Sequence, residues 1–145
     1  MHKKVVFELE EGDDGFPPAR FESVWAFEQG DRTYLLDNIP FFAHEATIGD
    51  RVEAEDVDGQ LRYRKTVSTS GNSLVRVLYS PEVDVDGILS DLRGLGLSAE
   101  TYIEYRLVAI DVPSGAHLTP LRSYLERRLE LGELDYEEPL LRHEQ

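Results

Sequence analysis

His44 and Glu45, set between Asp37 and Asp50, are the residues best placed by type and spacing for acid–base chemistry. Histidine titrates near neutrality, and neighbouring carboxylates can orient its ring. No nucleophile stands at a recognisable spacing, and no GxSxG elbow accompanies the group. The plainer reading, a surface histidine in the loop after Pro40, leads. His2, His44, His117 and His143 are the four histidines, and no two have the helical or hairpin spacing of a metal pair. Asp84 and Asp86 lack the further oxygen ligands and closing glutamate of a calcium loop, and helix capping explains them better. Neither a metal nor an organic cofactor is expected.

Ser70-Gly71-Asn72-Ser73 has the composition of a turn whose amides can cradle an anion. No lysine follows and no helix opens there, so it is not a phosphate-binding loop. Residues 60–76 carry Arg62, Arg64, Lys65 and Arg76 and no acid. Arg62 and Arg64 have cross-strand acidic partners in the register given below, which leaves Lys65 and Arg76 as binding candidates. Trp25, Phe27, Tyr34, Phe41 and Phe42 concentrate the aromatics, and a shared core is expected of them. Consecutive strand residues point to opposite faces, so one of Phe41 and Phe42 is expected to be exposed beside Pro40, as a binding anchor. The candidate binding residues are thus Phe41, Phe42, His44, Asp50, Lys65 and Arg76, and no catalytic residue is assigned.

These residues need a scaffold. The chain has 145 residues, the length of one domain. Hydrophobic residues make up 41%, enough for a core, and the absence of cysteine excludes disulfides and thiolate chemistry. The run Val5-Val6-Phe7 is too short for a secretory signal, and no run approaches the roughly 20 apolar residues of a bilayer span. A soluble cytoplasmic protein is expected. Fifteen basic against 29 acidic residues give a net charge of −14. That charge opposes phosphate backbones and anionic membranes, and favours a basic protein partner.

Alternating runs place strands at residues 3–9, 20–28 and 33–36, with a Gly-, Pro- and acid-rich loop at 10–19 and turns at Gly30-Asp31 and Gly49-Asp50. Asp58-Gly59 between two alternating runs predicts a two-residue hairpin. Taken literally, that turn sets Val57 against Gln60, Glu55 against Arg62, Ala54 against Tyr63, Glu53 against Arg64 and Val52 against Lys65. Leu74 to Tyr79 reads as a central strand. Val85, Ile88, Leu89 and Leu92 keep helical spacing, capped by Asp84 or Asp86 and ended by Gly94 or Gly96. Glu100 to Val112 reads as one long strand. Thr119 caps a last helix with Pro120 in its first turn, Gly132 ends it, and an acidic tail runs from Glu133 to Gln145.

The fold class is therefore α+β. An N-terminal antiparallel sheet or SH3-like small barrel, residues 1–70, packs with a strand–helix–strand–helix, half ferredoxin-like unit, residues 71–145, as two lobes of one domain.

Several phrases resemble a bacterial family of unknown function, family 4265. They are Ser23 to Ala26, Asp37 to Phe42, Gly49 to Val52, Ser70 to Ser73, Leu92 to Gly96, Leu107 to Pro113 and Gly132 to Glu138. The resemblance implies a domain spanning nearly the whole chain and carries no activity.

The expectation is a non-catalytic interaction protein with an acidic surface, such as an immunity-type or regulatory partner of a basic protein. The alternative is a small-ligand binder or enzyme with a site at the lobe junction, near His44, Asp50 and the Ser70–Ser73 turn. A third reading is self-association through a sheet edge.

Overall fold

Short alternating runs separated by turn-forming residues build five strands in the first seventy residues: β1 (His2–Glu8), β2 (Phe21–Gly30), β3 (Thr33–Leu36), β4 (Arg51–Val57) and β5 (Gln60–Ser68). The structure is a computed structural model that describes residues 1–10, 17 and 19–143. Most of the loop expected at 10–19 lies outside the described residues. The chain divides into two compact units, Met1–Ser70 and Gly71–Gln145.

In the first unit the five strands close into a barrel in chain order. Neighbours are antiparallel except at the seam, where β1 meets β5 in parallel through Val5–Leu61 and Val6–Arg62. Val5, Phe7, Val24, Ala26, Leu36, Val52 and Ala54 fill the interior, and Phe7 stacks on Tyr63 at 4.6 Å. A barrel of so few strands has little room inside, so small side chains suit it. This sorts β2. Val24 and Ala26 point inward, while Phe21, Trp25 and Phe27 stay exposed. The expected common core of Trp25, Phe27, Phe41, Phe42 and Tyr34 is therefore split.

The β4–β5 hairpin turns through Asp58 and Gly59, both at positive φ (52° and 87°), as a type I′ turn requires. Val57–Gln60, Glu55–Arg62 and Ala54–Tyr63 pair as the turn dictates. A bulge then inserts Arg64, so Glu53 faces Lys65 and Val52 faces Thr66. The expected pairs Glu53–Arg64 and Val52–Lys65 are thus off by one residue. The β2–β3 turn is Asp31-Arg32, one residue beyond the expected Gly30-Asp31, with both residues at positive φ.

The second unit runs β6 (Ser73–Tyr79), α1 (Val85–Gly94), β7 (Ser98–Tyr102), a single 3₁₀ turn (Ile103–Tyr105), β8 (Leu107–Val112), α2 (Thr119–Glu130) and β9 (Leu134–Leu140). The sheet order is β7-β8-β6-β9 with every neighbouring pair antiparallel. Strand–helix–strand–strand–helix–strand in that order is the whole ferredoxin-like unit rather than half of it. Two corrections produce the change. The expected long strand at 100–112 is a hairpin that reverses at the 3₁₀ turn, with Arg106 at φ 52°. The acidic tail contains β9, an edge strand, where Pro139 is tolerated.

The core of this unit sets Val75, Val77, Val108, Ile110 and Val112 against Ile88, Leu92, Leu121 and Leu125. Asp84 caps α1, accepting from the Asp86 amide at 3.1 Å. Leu118 rather than Thr119 occupies the cap position of α2, and no side chain caps that end. Among the described residues no helix is long and apolar enough to cross a membrane.

Candidate functional site

Between β3 and β4 the chain runs from Asp37 to Asp50 without regular structure, so its amides need partners from elsewhere. Glu22 on β2 supplies three. Its carboxylate accepts from the backbone N–H of Phe41 at 2.6 Å, Phe42 at 3.0 Å and Ala43 at 2.8 Å. Three successive amides converging on one anion form a nest. Asn38 Oδ1 accepts from the Trp25 amide at 3.1 Å. Asp50 closes the far end, accepting from Thr47 N–H at 3.1 Å, Ser70 N–H at 2.9 Å and Ser70 Oγ at 3.0 Å.

This arrangement revises the candidate residues one by one. Phe42 is buried and Phe41 half-buried, so neither is the exposed anchor expected beside Pro40. Asp50 is wholly buried, holding the loop and Ser70 in place. His44 is exposed, with Nε2 3.6 Å from Glu45 Oε1. The structure thus brings Asp50 and Ser70 together, and His44 to Glu45. Lys65 and Arg76 both have partners, contrary to expectation. Lys65 lies 3.6 Å from Glu53, and buried Arg76 donates to Glu137 at 3.0 Å.

Ser73 meets an unexpected histidine. Its hydroxyl lies 2.6 Å from His143 Nδ1, and His143 Nε2 lies 2.7 Å from the Pro113 carbonyl. A carbonyl only accepts, so Nε2 donates to Pro113, and in the neutral ring Nδ1 is then the acceptor for the Ser73 hydroxyl. The Arg142 amide also donates to Ser73 Oγ, at 2.8 Å. Ser73 is fully buried, so this chain of bonds fastens the segment after β9 and offers no nucleophile to a substrate.

Sequence reasoning missed the outer face of β1 and β2. Phe21, Trp25 and Phe27 project from alternate positions, 42%, 40% and 42% exposed. Each carries a cationic or titratable group on its ring. His2 stacks on Trp25 at 4.5 Å and on Phe27 at 4.9 Å. Lys4 Nζ lies 5.0 Å from the Trp25 centroid, and the Arg62 guanidinium 4.7 Å from that of Phe21. These are cation–π distances. His2 also lies 3.4 Å from Asp37. The alternation marked two faces on β2, and barrel size, unreadable from the sequence, decides which is interior. Among the described residues no three histidine or acidic side chains converge as a metal site requires.

Comparison with known proteins bears on fold and family. A crystal structure of a hypothetical protein from Neisseria gonorrhoeae superposes with a TM-score of 0.82 at 19% identity, over 99% of this chain and 98% of that one. This likeness concerns the fold. Sequence similarity extends to tRNA pseudouridine synthase B of Salmonella arizonae, 30% identical over 104 residues, and of Shigella boydii, 29% identical over 123. Those matches cover 72% and 85% of this chain but 33% and 38% of the synthases, so the chain spans little more than a third of their length. Residues 22–136 match the family described as Domain of unknown function (DUF4265), and the chain belongs to that family.

Proposed function

We propose that this chain is a non-catalytic interaction module, an immunity-type or regulatory partner of a basic protein. The observation that carries this reading is the exposed row of Phe21, Trp25 and Phe27 on a strand of the closed barrel. Aromatic and arginine side chains are the usual anchors of protein interfaces, and rings held on strands lose little freedom on docking. The net charge of −14 would steer a basic partner toward the chain over distance. At contact, Lys4 and Arg62 above the rings would meet the partner's carboxylates. The test is affinity capture from the native lysate at low and high salt, with wild type and the Trp25→Ala/Phe27→Ala variant as baits. A basic protein held by wild type at low salt, released at high salt and lost by the variant supports the reading. Equal capture by the variant refutes the aromatic anchor.

A site built on His44, Asp50 and the Ser70–Ser73 turn has less support, because Asp50 already accepts three hydrogen bonds within the fold. A different second reading is favoured by the similarity to tRNA pseudouridine synthase B: a module that contacts RNA. Cations beside exposed rings are what single-stranded nucleic acid needs, whereas the net charge works against phosphate binding. Gel-shift titration with bulk tRNA at low salt separates the two, since the interaction-module reading predicts no shift.

A further inference from the structure

We propose that the concavity at the seam of the barrel is a binding site for a small organic anion, a carboxylate or phosphate monoester with an apolar body. This inference does not rest on the protein-partner reading above, although Lys4 belongs to both surfaces. β1 and β5 pair through only two residue pairs, Val5–Leu61 and Val6–Arg62. Beyond them the seam opens into a cavity of about 800 Å³, within the range of small-molecule sites. Val6, Ala54 and Leu61 give it an apolar wall, and Lys3, Lys4 and Arg32 bring three cations to it.

The charges in this cavity are unevenly engaged. Its two carboxylates already have partners: Glu55 pairs with Arg64 at 2.7 Å, and Asp56 accepts from the Gly59 amide at 2.9 Å. Of the cations, Lys3 meets Glu28 only at 4.0 Å. Among the described residues Arg32 and Lys4 have no carboxylate at ion-pair distance, and the one printed contact of the Lys4 ammonium is the Trp25 ring at 5.0 Å, so an anion here would meet positive groups not neutralised by an acid.

Arg32 also sits where the backbone argues against it. Asp31 and Arg32 form a two-residue turn at φ 51° and 61°. The second position of such a turn suits glycine, and an arginine there is strained. A local rule broken beside a cavity points to a role for the side chain. Tyr34 adds a neutral donor. Burial, with Glu28 and Asp56 contributing, pushes its phenol above the usual range, so it keeps its proton at neutral pH.

The test is a ¹⁵N–¹H NMR titration of the full chain with phenyl phosphate, with inorganic phosphate and benzyl alcohol as comparisons. Saturable shifts at the amides of Lys4, Arg32, Tyr34 and Gln60 are expected, with phenyl phosphate binding more tightly than either comparison. Arg32→Gly removes the cation while relaxing the backbone, so it is expected to keep the folded spectrum. It should weaken binding by about ten-fold, the loss of one charge-assisted contact. Absence of saturation up to about 20 mM phenyl phosphate, far weaker than a millimolar site, overturns the proposal. So do shifts centred elsewhere, unchanged affinity in Arg32→Gly, or inorganic phosphate binding equally well.

Discussion

The Lys4 ammonium lies 5.0 Å above the indole of Trp25, its cross-strand partner on the outside of the barrel. The largest ring in the chain is therefore held by a neighbour rather than by the core. Trp25→Ala should cost about 1 kcal/mol, consistent with losing a half-exposed ring and one cation–π contact. Phe7→Ala, which empties a fully buried position, should cost about 3–5 kcal/mol. Urea unfolding of the two variants side by side measures the contrast, and comparable losses would mean that Trp25 is a core residue.

Glu22 is expected to matter more than an ordinary surface acid. Glu22→Gln replaces an acceptor of three amide hydrogen bonds with a group that has a single acceptor oxygen, at a cost of about 1–3 kcal/mol. Hydrogen exchange should accelerate at the amides of Phe41, Phe42 and Ala43. Unchanged protection there would show that the nest does not hold the loop.

Asp50 and His44 should separate cleanly. Asp50→Asn weakens the bonds from Thr47 and Ser70 in a buried site and should lower stability by about 1–3 kcal/mol. His44→Ala, at an exposed pair with Glu45, should stay within about 0.5 kcal/mol of wild type. Thermal melts of both variants at pH 7 read the difference.

Alkaline pH should destabilise the second unit through two tyrosines. Burial, then a hydrogen bond to Asp91, pushes Tyr124 up to about 12 from 10. Burial, then a hydrogen bond to Glu126, does the same for Tyr136. A phenol with a raised folded pKa contributes stability that is fully present below pH 10. That contribution is lost as pH rises from 10 towards 12, because the unfolded chain releases its protons first. The Tyr124→Phe/Tyr136→Phe variant should show a shallower decline over that interval in pH-dependent unfolding.

Legibility in the sequence followed local chemistry. Asp58-Gly59 fixed a hairpin and the pairs Val57–Gln60, Glu55–Arg62 and Ala54–Tyr63, because type I′ geometry demands those residue types. The bulge at Arg64 carries no glycine or proline to announce it. The reversal at Ile103–Arg106 uses a non-glycine residue at positive φ, so an alternating pattern ran through it unbroken. β9 was hidden because an exposed edge strand can be acidic and hold a proline. At the candidate site, Asp50 and the Phe41-Phe42 pair were visible as residues, but their partners lie far along the chain: Ser70, twenty positions after Asp50, and Glu22, nineteen before Phe41. Period-two alternation on β2 identified two faces, and only closure of the barrel makes Val24 and Ala26 the inner one.

Trp25 is the one tryptophan of the chain, which makes the central claim directly measurable. The chain labelled with 5-fluorotryptophan gives a single ¹⁹F resonance, to be followed while the basic protein retained in affinity capture is added in purified form. The aromatic row as docking surface predicts that this resonance shifts or broadens in step with complex formation. A complex that forms while the Trp25 resonance stays unmoved, or a lysate from which no basic protein is retained, would contradict the account.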